Sequence, residues 1–168
     1  ELAKEAKLNA IIYNRGVGGF VTDELLENID TCILDLKPSK LFINIGTNDL
    51  SNPDIPIAEM IANYDKIICQ VKDSLPDVSI YFMAYYPINY DAATDEMKPC
   101  LLVRTNKKID EANAAVRALA QKHNETYIDI TAPLKDENGN LKAEYTIEGM
   151  HINEDGYRSI FPEFMKYV

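Results

Sequence analysis

Two kinds of segment alternate along this chain, short runs of apolar and β-branched residues and longer stretches with a helical period. This alternation is typical of a parallel sheet whose strands are joined by helices. Four runs predict strands, and each is too apolar to leave one face in water. They are Ala10–Tyr13, Lys40–Ile45, Val78–Ala84 and Thr126–Ile130. The sequence therefore predicts an α/β fold, a parallel sheet with crossover helices.

Four helices are predicted around these strands, over residues 22–36, 57–75, 99–123 and from Asn153 onwards. Thr22 is the expected cap of the first helix, because a threonine side chain can accept a bond from an N–H of the first turn. Pro162 is expected to kink or break the last helix, since proline cannot donate to the preceding turn.

The size and charge of the chain exclude several classes of protein. Its 168 residues suit one domain with one core, and no apolar run approaches the roughly 18 residues of a membrane span. The net charge of −10 repels phosphate groups, which argues against nucleic acid and anionic membranes as partners. A small molecule is the expected partner.

The cysteines predict neither a disulfide framework nor a metal site. Cys32, Cys69 and Cys100 are odd in number and lack C-x-x-C spacing, so reduced residues in helices or core are expected, with no metal and no cofactor. Activity should then survive chelators. No signal peptide follows Glu1, which favours a cytoplasmic location.

Polar and glycine-rich motifs follow three of the predicted strands. Residues 14–19 read Asn-Arg-Gly-Val-Gly-Gly, residues 46–49 read Gly-Thr-Asn-Asp, and residues 148–151 read Glu-Gly-Met-His. Open parallel sheets bind ligands beyond the carboxyl ends of their strands, so these motifs are the candidate site.

Each motif alone has an ordinary alternative. The glycines could form a tight turn or hold a nucleotide phosphate, although Val21 stands where a dinucleotide motif has its third glycine. Asn48 could project its amide into the crevice or close an Asx turn. Glu148 could curl back to Nδ1 of His151 and fix its tautomer, as a general base requires. His123, beside Lys122, is expected at a solvated helix end.

Together and in this order, the three motifs resemble the blocks of the GDSL, or SGNH, hydrolase family, from Ile11 to the C-terminus. The resemblance implies a three-layer α/β/α sandwich around a parallel, flavodoxin-like sheet. It also implies hydrolysis of carboxylic esters by a serine, with His151 as general base. Glu148 would orient it, where the family usually has Asp. The oxyanion hole would use the Gly19 N–H and the Asn48 side-chain amide.

The family's first block, a strand ending in Gly-Asp-Ser or Gly-Ser-Ser, is absent from the sequence. None of the five serines follows a strand with the required glycine. We therefore expect residues 1–168 to form one SGNH-like domain that lacks its first strand, with about 30 residues, one crossover unit, preceding Glu1 in the functional protein.

The substrate is the least determined feature. Tyr85 and Tyr86 could line a pocket for an acyl chain or sugar ring, or belong to a loop packed on the domain. The resemblance implies short acyl, carbohydrate-borne or lipid-borne esters. A non-catalytic ligand-binding protein of the same fold is the alternative. Residues 136–140 could suggest a calcium loop, but a polar turn fits them better.

Overall fold

A parallel sheet of three strands forms the centre of the protein. The computed structural model describes residues 2–8 and 10–168. The strands are β1 (Lys40–Ile43), β2 (Ser79–Met83) and β3 (Thr126–Ile128), in the order β1-β2-β3. Both pairs are parallel. Three predicted strands are thus confirmed, each two residues shorter than expected, and their order matches the last three strands of a flavodoxin-like sheet.

The predicted strand at Ala10–Tyr13 is wrong. This segment is irregular, and the side chains of Ile11, Ile12 and Tyr13 are exposed. An extended segment is stabilised as a strand only when a neighbour satisfies its N–H and C=O groups. In the part of the chain that the structure describes, β1 pairs with β2 alone, so its other edge offers the 10–13 segment no ladder.

Two long helices cover one face of the sheet. These are α4 (Ile57–Ser74) and α6 (Asn106–Lys122), and α4 confirms the predicted apolar stripe almost to its ends. Ile80 and Phe82 point from β2 into this core, where Phe82 stacks on Tyr64 of α4 with ring centroids 5.3 Å apart. Because strand side chains alternate, the neighbouring residues face the other way.

The last helix covers the opposite face. It is α7 (Glu154–Phe164). Phe42 of β1 stacks on Tyr81 of β2 with centroids 4.6 Å apart, and Phe164 of α7 contacts Phe42 at 4.9 Å. Helices therefore pack on both faces, which confirms the three-layer sandwich.

Two predicted helices are each divided in the structure. The stretch 22–36 becomes α2 (Thr22–Glu27), α3 (Ile29–Cys32) and a 3₁₀ turn at Leu34–Leu36. The break falls at Asn28, whose side-chain amide donates to the carbonyl of Glu24, a bond that competes with the helical ladder.

The stretch 99–123 becomes α5 (Lys98–Val103) and α6. A new helix starts because the Thr105 hydroxyl accepts a bond from the backbone N–H of Lys108, which caps α6. The last helix continues past Pro162 to Phe164, so of the two expected outcomes, a kink or a break, the break does not occur.

The remaining elements are short. A single helical turn, α1, lies at Leu2–Glu5, and 3₁₀ turns lie at Asp49–Ser51, Ala132–Leu134 and Ala143–Tyr145. Among the described residues, no helix combines the length and apolarity that crossing a bilayer requires.

Gly46 lies just after β1, where the side chains of Tyr85 and Met60 leave no room for a Cβ atom. Its φ is +113°, and an added Cβ would lie 2.5 Å from the Tyr85 hydroxyl oxygen and 2.8 Å from Sδ of Met60. The Tyr85 hydroxyl donates to the carbonyl of Ile45 at 2.6 Å, so it cannot move away without losing that bond.

We expect Gly46→Ala to lower the free energy of unfolding by about 3 kcal/mol, from backbone strain together with the steric clash. Urea unfolding would measure it. Gly139→Ala is the matched control, because Gly139 also has a positive φ but an added Cβ there meets nothing within 4 Å. Equal losses in the two variants would contradict the proposed clash.

Candidate functional site

A buried carboxylate ties the start of α2 to the chain that follows β1. Asp49 is 2% exposed, and its carboxylate accepts bonds from the Thr22 backbone N–H at 3.1 Å and the Thr22 hydroxyl at 2.5 Å. The helix α2 begins at Thr22 itself, and the side chain of this residue bonds to Asp49. The expectation that Thr22 caps the helix is therefore wrong. Val21 holds the cap position, and its N–H donates to the Glu24 carboxylate.

Burial changes the acidity of this carboxyl group. Desolvation raises the pKa of Asp49 above the ordinary 3.8, although the two bonds from Thr22 act in the opposite direction. The Thr22 hydroxyl also accepts a bond from the side-chain amide of Asn63 at 3.5 Å.

Asn48 connects the glycine-rich turn to α5 and α6. Its Nδ2 donates to the carbonyl of Phe20 at 2.9 Å, and its Oδ1 accepts from Nη2 of Arg104 at 3.0 Å. A flipped amide would place N–H groups against the guanidinium and oxygen against the carbonyl, so these bonds fix its orientation. Nδ2 carries two protons, and the second is not used by the bond to Phe20.

Gly19 precedes Phe20 in the same turn. Its φ is +85°, its surface is exposed, and its N–H has no hydrogen-bond partner within the described parts of the chain. The turn 14–19 thus presents a free backbone donor beside a fixed side-chain amide.

Glu148 and His151 form a local pair at the end of the 132–150 loop. Oε1 of Glu148 lies 3.0 Å from Nδ1 of His151, and the same oxygen accepts the backbone N–H groups of Met150 and His151. Thr146 closes the loop, because its hydroxyl donates to the His151 carbonyl and accepts from the Gly149 N–H.

The imidazole is held on one side and free on the other. The His151 side chain is 75% exposed, and its Nε2 has no hydrogen-bond partner in residues 2–8 and 10–168. A histidine with Nδ1 on a carboxylate and Nε2 open to solvent can take a proton from an approaching hydroxyl.

Arg104 is a residue of the site that the sequence did not reveal. It is 6% exposed and lies between α5 and α6, where its guanidinium donates to Asn48, to the Ser51 hydroxyl at 2.8 Å and to Sδ of Met150 at 2.9 Å. Burial lowers the pKa of Arg104, and the neighbouring Cys100 and Glu148 act in the opposite direction. One side chain therefore bridges the Gly-Thr-Asn-Asp turn and the histidine loop.

The sequence carries only a slight indication that Arg104 belongs to the site. This indication is a cationic residue directly after the apolar run Leu101–Val103.

Tyr85 lies in the core. It is 1% exposed with its hydroxyl bonded to Ile45, and burial raises its pKa, so the expectation that it lines a substrate pocket is corrected. Tyr86 is half-buried against the core on the α7 side, and burial raises its pKa to about 12 with a contribution from Tyr157. The loop after β2 instead supports the histidine loop, because the Asn89 N–H donates to the Gly149 carbonyl at 2.7 Å.

Two further expectations concern polar groups outside this site. His123 does end α6, but its side chain is 11% exposed and lies 2.5 Å from Asp65 of α4, so it is not solvated. Residues 136–140 form a turn in which Asp136 Oδ1 accepts the N–H groups of Asn138 and Asn140.

Residues 2–159 match the model of the GDSL-like Lipase/Acylhydrolase family. The chain belongs to this family. The match covers every motif of the candidate site and both faces of the sheet, so it is consistent with the three-layer fold described above.

Relatives of known structure share this fold. A candidate platelet activating factor from Streptococcus pneumonia is 31% identical, with a TM-score of 0.87 over 99% of this chain and 76% of its own. A mutant of the acetyl-xylooligosaccharide esterase Axe2 from Geobacillus is 19% identical, with a TM-score of 0.74 over 98% of this chain and 76% of its own.

Curated relatives are longer than this chain. GDSL esterase/lipase WDL1 of Oryza sativa subsp. japonica is 23% identical over 171 residues, and N-acylneuraminate cytidylyltransferase of Escherichia coli is 26% identical over 164 residues. The matches cover 95% and 96% of this chain, but only 65% of the rice protein and 36% of the bacterial one.

The raised pKa of Asp49 predicts how stability depends on pH. Because the folded state holds this proton more tightly than the unfolded chain, the contribution is present below pH 3.8 and is lost as pH rises through the folded pKa. Asp49→Asn cannot ionise, so we expect wild type to lose stability relative to this variant over that window. Urea unfolding of both proteins across the pH range would measure the difference. A constant difference would contradict the prediction.

Proposed function

We propose that the protein hydrolyses carboxylic esters through an acyl-enzyme, with His151 as general base and Glu148 as its orienting carboxylate. The observation that carries the proposal is the imidazole bonded to Glu148 through Nδ1, with Nε2 free. Nδ1–H donation to a carboxylate leaves the basic lone pair on Nε2 and stabilises the imidazolium that forms.

Asn48 and Gly19 are proposed to stabilise the oxyanion. The unused Nδ2 proton of Asn48 and the free N–H of Gly19 are donors on adjoining segments, and the bond from Asn48 to Phe20 connects the two segments. Arg104 acts as a positioning residue, because its bond to Oδ1 keeps the Asn48 amide in the orientation that offers this proton.

The nucleophile is proposed to be a serine on a strand outside residues 1–168. Of the described serines, Ser51 is bonded to Arg104 and Cys100, Ser159 is bonded to the Gly156 carbonyl, and none is bonded to His151. The unpaired edge of β1 could accept such a strand in parallel, which would bring its carboxyl end to the same side of the sheet as Asn48.

The proposed reaction has two steps, formation of an acyl-enzyme and its hydrolysis. The serine oxygen bonds to the carbonyl carbon while its proton passes to Nε2 of His151, and the C–O bond to the alcohol breaks as that proton moves to the leaving oxygen. Water then attacks the acyl-enzyme through the same base, which releases the acid and restores the serine.

A short acyl group, on a small, carbohydrate-borne or lipid-borne alcohol, is the proposed substrate class. The His151 side chain is open to solvent. Two cavities of about 320 and 420 Å³ lie along α6, and neither is lined by His151, Asn48 or Gly19.

Labelling with a fluorophosphonate tests the proposed mechanism. We expect the full-length natural protein to be modified on one serine outside residues 1–168, and His151→Ala to abolish the labelling, because the base no longer takes the serine proton. Mass spectrometry of the digested adduct would locate the serine.

Two carboxylates in the same loop provide a matched comparison. Glu148→Gln should slow the labelling, whereas Glu144→Gln, at an exposed side chain, should leave it unchanged. Absence of labelling in a folded protein would overturn the proposal and favour the ligand-binding alternative.

For Asn48→Ala we expect kcat for a short-chain aryl ester to fall by roughly 10²–10³, as loss of one preorganised oxyanion donor does. Steady-state kinetics on the full-length protein would measure it. Asn52→Ala, at an exposed asparagine of the same turn region, is the control and should keep the wild-type kcat. An unchanged kcat in Asn48→Ala would remove this amide from the mechanism.

A further inference from the structure

Three different metal-binding side chains meet between α4 and α6, away from the candidate active site. Asp65 and Cys69 are four residues apart on α4 and so share a helix face. His123 follows the last residue of α6. One ligand atom from each, a carboxylate oxygen, a thiol sulfur and an imidazole nitrogen, lie within 4.8 Å of one another.

The neighbouring lysines orient this cluster. Lys122 Nζ bonds Oδ2 of Asp65 at 2.6 Å, which leaves Oδ1 directed at Nε2 of His123, 2.5 Å away. Lys72 Nζ bonds the His123 carbonyl and the Glu125 carboxylate, both at 2.7 Å, so the end of α6 is fixed against α4. The ligand-bearing segments are therefore held together by contacts that do not use the ligand atoms, except for the Asp65–His123 contact itself.

The donor set and spacing suit a small cation of borderline softness. Zn²⁺ binds nitrogen, oxygen and thiolate ligands at about 2.0–2.3 Å, and a tetrahedron of such bonds places ligand atoms about 3.3–3.8 Å apart. The Asp65–His123 contact would have to open by about 1 Å. Three protein ligands and one water would complete the tetrahedron. Lys122 would remain on the second carboxylate oxygen, as outer partners of metal ligands commonly do.

We propose that Asp65, Cys69 and His123 bind one divalent cation of the zinc type. On binding, the Cys69 thiol loses its proton to solvent. The proton on Nε2 of His123, which bonds to Asp65, leaves that nitrogen, and the neutral ring carries its proton on Nδ1 instead. The bond between Asp65 and His123 is replaced by two bonds to the metal. α4 leads into β2 and α6 leads into β3, so the C-terminal ends of these helices lie where the strands begin. The cation site thus lies near the end of the sheet where the strands begin, whereas His151 lies near the end where they finish. The cation site does not depend on the proposed esterase function.

Cobalt provides the direct test, because Co²⁺ replaces Zn²⁺ in such sites and has a visible spectrum. We expect one equivalent of Co²⁺ to give a thiolate-to-cobalt charge-transfer band with the reduced full chain, and Zn²⁺ to displace it. Cys69→Ser should remove the band. Asp65→Asn and His123→Ala should weaken Co²⁺ binding at least about tenfold.

Cys100→Ser is the matched control, because Cys100 lies on α5, bonded to Ser51, outside the cluster. It should keep the full band. The proposal is overturned if wild type gives no charge-transfer band with Co²⁺, if the band survives in Cys69→Ser, or if Cys100→Ser removes it. The result with wild type decides the question even if a variant fails to fold.

Discussion

The buried bonds between Asp49 and Thr22 are the constraint on which the candidate site depends. A carboxylate that is 2% exposed loses most of its hydration and must replace it with protein donors. The donors come from the first residue of α2, so the turn that precedes α2 is fixed relative to the end of β1. This tether acts together with the bond from Asn48 to the Phe20 carbonyl, and the two hold Gly19 and Asn48 on connected segments.

Arg104 connects Asn48 to the histidine loop in a similar way, through buried hydrogen bonds. A buried guanidinium is tolerated when its donors are satisfied and a negative charge is near, and here Asn48, Ser51 and Met150 accept its bonds while Glu148 supplies the charge. Removing this cation would leave two loops without their common partner. The orientation of the Asn48 amide and the position of the histidine loop are therefore linked through one residue.

Local sequence pattern is sufficient to predict three strands and the apolar stripe of α4, because these depend on periodicity and on residues close in sequence. It also locates the three motifs of the candidate site. It failed where a distant group decides the outcome. Ala10–Tyr13 has the composition of a strand, but no described strand pairs with it. Tyr85 is buried with its hydroxyl bonded to the Ile45 carbonyl beside Gly46. His123 contacts Asp65, which lies on another helix. Arg104 was missed for the same reason, since its partners are separated from it by dozens of residues.

The bonds of the site join residues far apart in the chain. Thr22 to Asp49 spans 27 residues, Asn48 to Arg104 spans 56, and Arg104 to Met150 spans 46. Closing loops of this length costs chain entropy that a single hydrogen bond does not repay, so these contacts form only when the sheet and its crossover helices have assembled. The geometry of the site therefore depends on how the sheet and its helices are assembled, more than on any one of its loops.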